Sequence, residues 1–201
     1  MWDERFAGKD YLFGTEPADF LRREAGVLAP GSRVLCLADG EGRNSVWLAG
    51  QGHQVTAMEA SPVALDKARA LAAARGVDVA FRQAGIEGWD WSQPYDAVVG
   101  VFIQFAPPAL RAEIHAGIAR AVVPGGLVLL HGYAPRQIAN GTGGPRAVEN
   151  LYALDGLRAD FAGWQVLRAE DYDAEIQEGS GHAGRSALVD FIARRPALAG
   201  A

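Results

Sequence analysis

The sequence has a single cysteine, Cys36, among its 201 residues. A lone cysteine cannot close an intramolecular disulfide or assemble a thiolate metal cluster, so we expect no metal site. Its neighbours in the chain are apolar, which predicts a small buried side chain. No apolar run approaches the roughly 20 residues that a membrane-spanning helix needs, so no membrane association is expected.

Basic residues are also scarce and scattered. The formal net charge is -5, and adjacent basic residues occur only at Arg22–Arg23 and Arg194–Arg195. Nucleic-acid binding usually needs a clustered cationic face, so we expect no nucleic-acid partner and favour small-molecule chemistry. The opening segment Trp2–Phe6 carries acids where a signal peptide would carry basic residues, which predicts a cytoplasmic protein.

Strand-like and helix-like segments alternate along the chain, which predicts an α/β fold with a mainly parallel sheet. The predicted strands are Arg33–Ala38, Gln54–Met58, Val77–Gln83, Tyr95–Phe102 and Leu127–Tyr133, and the predicted helices are Asn44–Gln51, Pro62–Arg75, Pro108–Ala121 and Ala147–Phe161. A turn is expected at Pro124–Gly126. Two last strands, Trp164–Tyr172 and Ser186–Arg195, have no helical pattern between them, which predicts a hairpin.

A glycine loop directly follows the first predicted strand. Gly40 and Gly42 permit positive φ and a close approach of a ligand to the backbone. The next helix starts at once, so its free N–H groups face the loop. At the carboxyl edge of a parallel sheet, such a loop fits a nucleotide-like ligand.

An acid, Glu59, ends the second predicted strand about 20 residues later. In nucleotide-binding α/β folds a carboxylate at this point accepts hydrogen bonds from both ribose hydroxyls. The alternative is a solvated acid ahead of the helix that Ser61 caps. We favour the ribose role, because strand, loop, helix, strand and acid occur in order.

The loop composition distinguishes two ligands. A dinucleotide-binding dehydrogenase has the pattern G-x-G-x-x-G, but the third glycine position here is Ser45. Asp39 and Glu41 flank the loop, and negative charge beside a diphosphate is unfavourable. Beside the sulfonium and ammonium groups of S-adenosyl-L-methionine it is favourable. The sequence therefore predicts that cofactor.

Several segments together resemble the class I S-adenosylmethionine-dependent methyltransferases, and in particular the small bacterial enzymes related to tellurite-resistance and thiopurine methyltransferases. They are Leu35–Asn44 (L-C-L-A-D-G-E-G-R-N), Val55–Ser61, Pro124–Gly126, the opening Trp2–Phe6, Tyr11–Pro17, Gln137 with Gly143–Pro145, and Glu178–Gly179 with His182 and Gly184. The resemblance covers essentially the whole chain. It implies a doubly wound, Rossmann-like, mostly parallel seven-stranded sheet with an antiparallel last strand.

The resemblance also implies a role for residues by their position. Ala38, Asp39, Gly40 and Gly42 would line the methionine end of the cofactor, and Glu59 would hold the ribose. Ala60, which follows Glu59, is also expected to bind the cofactor. Ile86 and Glu87 would flank the adenine, Val101, Phe102 and Ile103 would face the sulfonium, and Tyr11 and Phe13 would lie in an N-terminal lid. The predicted methyltransferase domain spans residues 1–201, with a lid and helix segment in residues 1–30 and the nucleotide-binding core in residues 31–201.

Three positions depart from the pattern of that superfamily. Ala38 replaces the first glycine of the loop, which requires a backbone that tolerates a methyl group. Cys36 replaces an acid that is often found in the first strand. Gly85 stands where Asp or Asn often binds the adenine amino group, which leaves that contact to the backbone or to Glu87.

Catalytic residues are not assigned by the sequence. Methyl transfer needs the nucleophile and the methyl group held in line, and a general base is needed only for an acceptor whose proton has a high pKa. The candidates for acceptor contact are Gln104, His131, Tyr133, Arg136, Gln137 and His182, of which His131, Tyr133, Gln137 and His182 are the candidates for a catalytic role. His131 alternates with Leu130, as a satisfied strand histidine would, whereas His182 lies in a glycine-rich loop. Residues 140–145 form either a mobile lid or a fixed turn.

The expected function is methyl transfer to a small-molecule acceptor with an S, O, N, Se or Te nucleophile, by a monomer or homodimer. A non-catalytic protein that binds S-adenosylmethionine is the alternative, and a nicotinamide-dependent oxidoreductase is a weaker one.

Overall fold

The computed structural model describes residues 2–197. Met1 and residues 198–201, which the predicted domain includes, lie outside the described residues. Two compact units can be distinguished. The first contains the chain up to Trp89 together with Gln177–His182, and the second contains Asp90–Ile176 and the chain from Ala183 onward. Within residues 2–197, no helix has the length and apolar character to cross a membrane.

The strands are β1 (Arg33–Leu37), β2 (Gln54–Glu59), β3 (Ala80–Gln83), β4 (Tyr95–Val101), β5 (Val122–Tyr133), β6 (Gln165–Glu178) and β7 (His182–Arg194). They form a seven-stranded sheet in the order β3-β2-β1-β4-β5-β7-β6. The pairs β1–β2, β2–β3 and β4–β5 are parallel, whereas β5–β7 is antiparallel. The predicted fold class, with an antiparallel last strand, is confirmed.

The helices are α1 (Trp2–Phe6), α2 (Asp19–Glu24), α3 (Arg43–Gly50), α4 (Pro62–Arg75), α5 (Pro108–Ala121) and α6 (Leu154–Asp160), and short 3₁₀ turns occur at Ala25–Val27, Ile86–Gly88, Pro135–Ala139 and Val148–Asn150. Helix α4 has the predicted bounds because its end signals are local. The Ser61 hydroxyl accepts the N–H of Ala64 at 3.2 Å, Pro62 occupies the first turn, and Gly76 ends the helix at φ 65°.

The predicted helix over residues 147–161 is wrong in extent. A 3₁₀ turn at Val148–Asn150 comes first, and the α-helix begins only at Leu154. Between them the N–H of Tyr152 donates to the carbonyl of Tyr133 at 2.9 Å, and both side chains are buried. This tertiary bond to β5 interrupts the helix.

The predicted turn at Pro124–Gly126 lies inside β5, which begins at Val122. Pairing with β4 jumps from Tyr95↔Val122 to Ala97↔Leu127, so the proline and glycines form an irregularity in the ladder rather than a connection. The hairpin strands β6 and β7 are longer than predicted, and only residues 179–181 join them.

Each unit contains an apolar cluster. In the first unit, Val46, Leu71 and Ala72 pack with the half-buried Tyr11. In the second, the cluster is Tyr133, Leu151, Ile176 and Leu188, and Phe102 and Tyr172 pack against it. Cys36 is buried and unbonded in β1, as the sequence predicts.

Candidate functional site

The loop after β1 is built from left-handed residues. Ala38 has φ 44°, Gly40 has φ 62° and Gly42 has φ 88°. An alanine in this region carries about 1 kcal/mol or more of backbone strain. Ala38 thus adopts the conformation that a glycine would take more easily, and its methyl group does not prevent the turn.

Gly42 is needed for helix packing. A Cβ atom built there would lie 2.7 Å from Cβ of Ala68 on α4, and its φ also favours glycine. Helix α3 begins at the next residue, so Gly42 lets α3 and α4 approach closely. Any ligand contact by Gly42 would have to use its backbone.

Glu59, at the end of β2, is 7% exposed and is therefore not a solvated acid. Its Oε2 accepts the N–H of Gly40 at 3.0 Å, and its Oε1 accepts the N–H of Ser61 at 2.8 Å. A carboxylate has about four lone-pair sites, so both oxygens can accept further donors. The acid thus joins the glycine loop to the start of α4 and keeps capacity for two hydroxyl groups.

Asp39 is a half-buried acid at the amino end of α3. It accepts hydrogen bonds from the N–H and the hydroxyl of Ser45 in the first turn, so it takes the place of a helix cap. Burial raises the pKa of Asp39 to about 7 and the nearby Glu59 adds to that rise, whereas the Ser45 bonds and Arg43 lower it. Near neutral pH its charge therefore responds to whatever binds beside it.

Glu41 contributes no unpaired charge to the loop. It is buried, its Oε1 lies 2.7 Å from Nζ of Lys67, and its Oε2 accepts the N–H of Leu12 at 2.7 Å. Lys67 also donates to the carbonyl of Asp10 at 2.8 Å. Glu41 is thus paired with a lysine, which leaves Asp39 as the loop acid whose ionised form can act on a ligand and corrects the expectation that both acids do so.

The N-terminal segment lies against the glycine loop. The ring of Phe6 is buried, and an atom of it lies 3.6 Å from the position of a Cβ on Gly40. The Tyr11 hydroxyl donates to the carbonyl of Lys67 at 3.0 Å. Phe13 contacts Phe6 edge-on with ring centroids 6.3 Å apart. Tyr11 is thus attached to α4, and Phe13 packs on Phe6 beside the glycine loop.

His182 belongs to the same part of the first unit. Its ring is buried and stacks on Phe13, with centroids 4.4 Å apart and an interplanar angle of 19°. The N–H of Gly181 donates to the carbonyl of Leu12 at 3.0 Å. His182 is thus packed against the N-terminal segment.

The first unit contains a buried ion pair that the sequence does not predict. Nη2 of Arg43 lies 2.7 Å from Oε2 of Glu178, and both side chains are less than one tenth exposed. Oε1 of Glu178 accepts the N–H of Asp19 at 3.1 Å. Because Arg43 is the first residue of α3, the pair attaches the start of that helix to Glu178. The second terminal nitrogen of Arg43, Nη1, is buried without a hydrogen-bond partner.

The remaining first-unit residues follow β2 and β3. Ala60 is exposed directly after Glu59. Ile86 is buried in a 3₁₀ turn and Glu87 is exposed in the same turn. Oε2 of Glu87 lies 3.8 Å from the position of a Cβ on Gly85, so a carboxylate is near the point where the adenine contact is expected.

In the second unit, Val101 ends β4 and Phe102 follows it with φ 55°. This left-handed conformation is unusual for a bulky residue. The N–H of Phe102 donates to the carbonyl of His131 at 2.8 Å, and the phenyl ring meets the imidazole edge-on with centroids 4.8 Å apart. The strained backbone of Phe102 therefore places its phenyl ring in contact with the imidazole of His131.

His131 is paired with Asp190, directly opposite on β7. Nδ1 of His131 lies 2.6 Å from Oδ1 of Asp190, and the Tyr172 hydroxyl donates to the same oxygen at 3.1 Å. His131 is 2% exposed and Asp190 0%. The three side chains form a polar chain across β5, β7 and β6, in which Tyr172 is half-buried.

Tyr133 and Gln137 are structural anchors in the second unit. The amide nitrogen of Gln104 donates to the carbonyl of Tyr133 at 2.8 Å, and its amide oxygen accepts the N–H of Tyr133 at 2.6 Å. The Gln137 amide nitrogen donates to Thr142 at 3.0 Å, and its oxygen accepts the N–H of Ala187 at 2.8 Å. Residues 140–145 are thus tied to a buried glutamine, which favours the fixed turn over the mobile lid.

The first unit fits the predicted cofactor. Glu59 can accept two hydroxyl donors, and the ionised form of Asp39 favours a nearby cation. Two neighbouring carboxylates would repel a diphosphate. A nucleoside that carries a positive charge and two ribose hydroxyls matches these acceptors and their negative charge.

Sequence comparison gives two kinds of match. The family described as methyltransferase domain matches residues 34–126. Thiopurine S-methyltransferase of Pseudomonas putida strain KT2440 is 31% identical over 187 residues, which cover 82% of this chain and 82% of the relative. The enzyme of the same name from Pseudomonas putida strain W619 is 30% identical over 206 residues and covers 86% of each chain.

Solved structures show the same fold. TehB from Haemophilus influenzae has a TM-score of 0.70 at 18% identity, covering 88% of this chain and 61% of that one. A structure concerned with the conversion of a disulfide bond into a thioacetal group during echinomycin biosynthesis has a TM-score of 0.77 at 21% identity, covering 97% and 88%. Magnesium protoporphyrin IX methyltransferase from Synechocystis PCC 6803, solved with bound SAH, has a TM-score of 0.66 at 16% identity, covering 88% and 79%.

Identity of 31% over four fifths of both chains is a family-level relationship, and the strand order agrees with it. The glycine loop, the acid after β2 and the antiparallel last strand occur together in a chain that belongs to the class I S-adenosylmethionine-dependent methyltransferases, and it is an enzyme of that class.

Proposed function

We propose that this enzyme transfers the methyl group of S-adenosyl-L-methionine to a small-molecule acceptor with a sulfur nucleophile. The sulfur acceptor is supported by the relatives of about 30% identity, which are named thiopurine S-methyltransferases. A small acceptor is supported by the acidic net charge of -5 and by the scattered basic residues.

The observation that carries this proposal is the placement of Glu59. Its two oxygens are fixed by the N–H groups of Gly40 and Ser61, so the carboxylate is oriented before any ligand arrives. Glu59 would accept both ribose hydroxyls, and Asp39 would face the cationic methionine end. When bound, the cofactor supplies an electrophilic methyl group on a sulfonium sulfur.

The other residues would orient the cofactor and exclude water. Ile86 is buried and would pack on the adenine, with Glu87 at its edge and Ala60 beside the ribose. Val101 and Phe102 end β4 and would face the sulfonium. Tyr11 and Phe13 would cover the site from the N-terminal segment. Methyl transfer requires mainly such alignment in a dry pocket.

Calorimetry on the purified full chain tests the cofactor assignment. S-adenosylhomocysteine should bind, whereas NADH should not. Transfer from methyl-labelled S-adenosylmethionine to a panel of thiols and thiopurines then tests the acceptor. Lack of S-adenosylhomocysteine binding at about millimolar ligand, which corresponds to about 4 kcal/mol of binding free energy, would overturn the cofactor assignment. Binding without any turnover on the panel would overturn only the acceptor.

A further inference from the structure

We infer that His131 is the catalytic base of this enzyme, oriented by Asp190, and that its acceptor is a nucleophile that still carries a proton at neutral pH, such as an aliphatic thiol. This inference rests on the proposed function and narrows its substrate class.

The position of His131 is the first observation. His131 and Val101 form the last residue pair between the parallel strands β5 and β4. Phe102, which follows, donates its N–H to the carbonyl of His131 and places its ring 4.8 Å from the imidazole. The imidazole is therefore beside the residues proposed to face the sulfonium, all within the second unit.

The orientation of the ring is the second observation. Asp190 accepts at Nδ1 of His131 at 2.6 Å, and Tyr172 donates to the same carboxylate oxygen at 3.1 Å. The neutral tautomer that donates its Nδ1 proton to Asp190 has its basic lone pair on Nε2. A base that a third group orients in this way is the arrangement that activates nucleophiles.

The surroundings of the pair are the third observation. On the same face of β5 and β7, the neighbouring cross-strand pairs are Leu129–Ile192 and Tyr133–Leu188. Hydrophobic residues in place of a buried ionic pair are often neutral or stabilising. Stability alone therefore does not call for a histidine and an aspartate here.

An acid and a phenol on neighbouring strands belong to the same polar chain as the imidazole. Asp190 approaches from β7 and Tyr172, through Asp190, from β6. Phe102 after β4 is apolar, and Tyr133 on β5 contacts Phe102 with ring centroids 4.7 Å apart. The carboxylate of Asp190 stabilises the imidazolium that forms when His131 accepts a proton.

The proposed step balances. The acceptor X–H forms a bond from X to the methyl carbon, the carbon–sulfur bond of the sulfonium breaks, and its electron pair goes to sulfur. Nε2 of His131 takes the proton from X. The products are the methylated acceptor, S-adenosylhomocysteine and an imidazolium paired with Asp190, which then releases its proton to water.

Two thiols separate proton removal from alignment. Benzyl mercaptan is a neutral thiol near pH 7, whereas 4-nitrothiophenol is already a thiolate. His131→Gln should lower kcat with benzyl mercaptan by about 10²–10⁴-fold and leave kcat with 4-nitrothiophenol within about threefold, since only the first acceptor needs a base. Its affinity for S-adenosylhomocysteine should be unchanged.

His115 provides the matched control. It is another buried histidine of the second unit, with Nδ1 2.7 Å from Oδ2 of Asp160. His115→Gln should leave both rates unchanged. An equal loss of both rates in His131→Gln, or no loss with benzyl mercaptan, would overturn the base. The proposed base would also be overturned if the unaltered enzyme methylated 4-nitrothiophenol but not benzyl mercaptan.

A measurement on the protein itself does not depend on turnover. The chain has four histidines, so ¹⁵N NMR of histidine-labelled enzyme resolves each ring, and the signals missing in His131→Gln identify His131. In its neutral form the ring of His131 should carry the proton on Nδ1, toward Asp190, and leave Nε2 without one. The opposite tautomer, with the proton on Nε2, would overturn the base alone, whereas absent S-adenosylhomocysteine binding would defeat the proposed function.

Discussion

Glu59 accepts the backbone N–H of Gly40 at 3.0 Å, so the acid after β2 and the glycine loop after β1 are joined directly within the first unit. The other carboxylate oxygen holds the N–H of Ser61, where α4 begins. One side chain therefore fixes the loop and the helix start together. If it also accepts a ribose, the loop and the ligand are positioned by the same group.

Replacement of Glu59 by Gln should weaken binding of S-adenosylhomocysteine by about 10- to 100-fold. A charged acceptor contributes about 1.5–3 kcal/mol per hydrogen bond, and the amide can present only one oxygen to the two hydroxyls. Calorimetry measures the change. Glu113→Gln, at an exposed position on α5, is the control and should bind normally. An unaltered affinity in folded Glu59→Gln would remove the ribose assignment.

Cofactor binding should depend on pH through Asp39. Its pKa is raised to about 7, first by burial, so below that pH the free enzyme holds the acid protonated. A cation favours the ionised form, so S-adenosylmethionine should bind about tenfold more tightly at pH 8 than at pH 6. Calorimetry at both values checks this. Asp39→Asn should abolish the difference, and a variant that keeps it would show that another group titrates.

Gly42→Ala should destabilise the fold by about 3 kcal/mol or more, because the new Cβ meets Ala68 and the left-handed backbone is strained. Gly52→Ala is a matched control, since Gly52 has φ 90° but no atom near its Cβ position. It should lose only about 1–2 kcal/mol. Chemical denaturation measures both. Adding Ala68→Gly to Gly42→Ala should recover only part of the difference, because Cα of Ala68 also lies 2.9 Å from the new Cβ. Equal losses in the two single variants would contradict the clash.

Lys67→Met should destabilise the first unit by about 3–5 kcal/mol, because Glu41 would remain buried without its cation. The double variant with Glu41→Gln should regain most of that loss. Arg69→Met is the control on the same helix, since the Arg69–Asp66 pair is exposed and contributes about 0.5 kcal/mol or less. Chemical denaturation of the unaltered protein and the three variants tests the Lys67–Glu41 pair. A Lys67→Met protein as stable as Arg69→Met would refute the predicted contribution of that pair.

The parts of the fold that sequence predicted best have local causes. Helix α4 begins and ends as predicted because Ser61, Pro62 and Gly76 are adjacent to the ends that they determine. The order of strand, glycine loop, helix, strand and Glu59 is likewise read within one short segment. The helix expected over residues 147–161 was shortened by a tertiary bond from Tyr152 to β5, which no local pattern reveals.

The polar partners within the site could not be predicted for the same reason. The alternation of His131 with Leu130 suggested a strand histidine, but its partner Asp190 lies 59 residues away. Glu41 was expected to leave its charge beside the ligand, and Lys67, 26 residues away, compensates it. Side-chain contacts between residues so far apart in the sequence form only when the strands and helices pack together, so no local pattern predicts them.

A high-resolution crystal structure of the enzyme with S-adenosylhomocysteine tests the central claim most directly. Both ribose hydroxyls should donate to the carboxylate of Glu59 at about 2.5–3.0 Å, with the amino-acid end of the ligand beside Asp39. A ribose bound elsewhere, with Glu59 contacting only Gly40 and Ser61, would contradict the account.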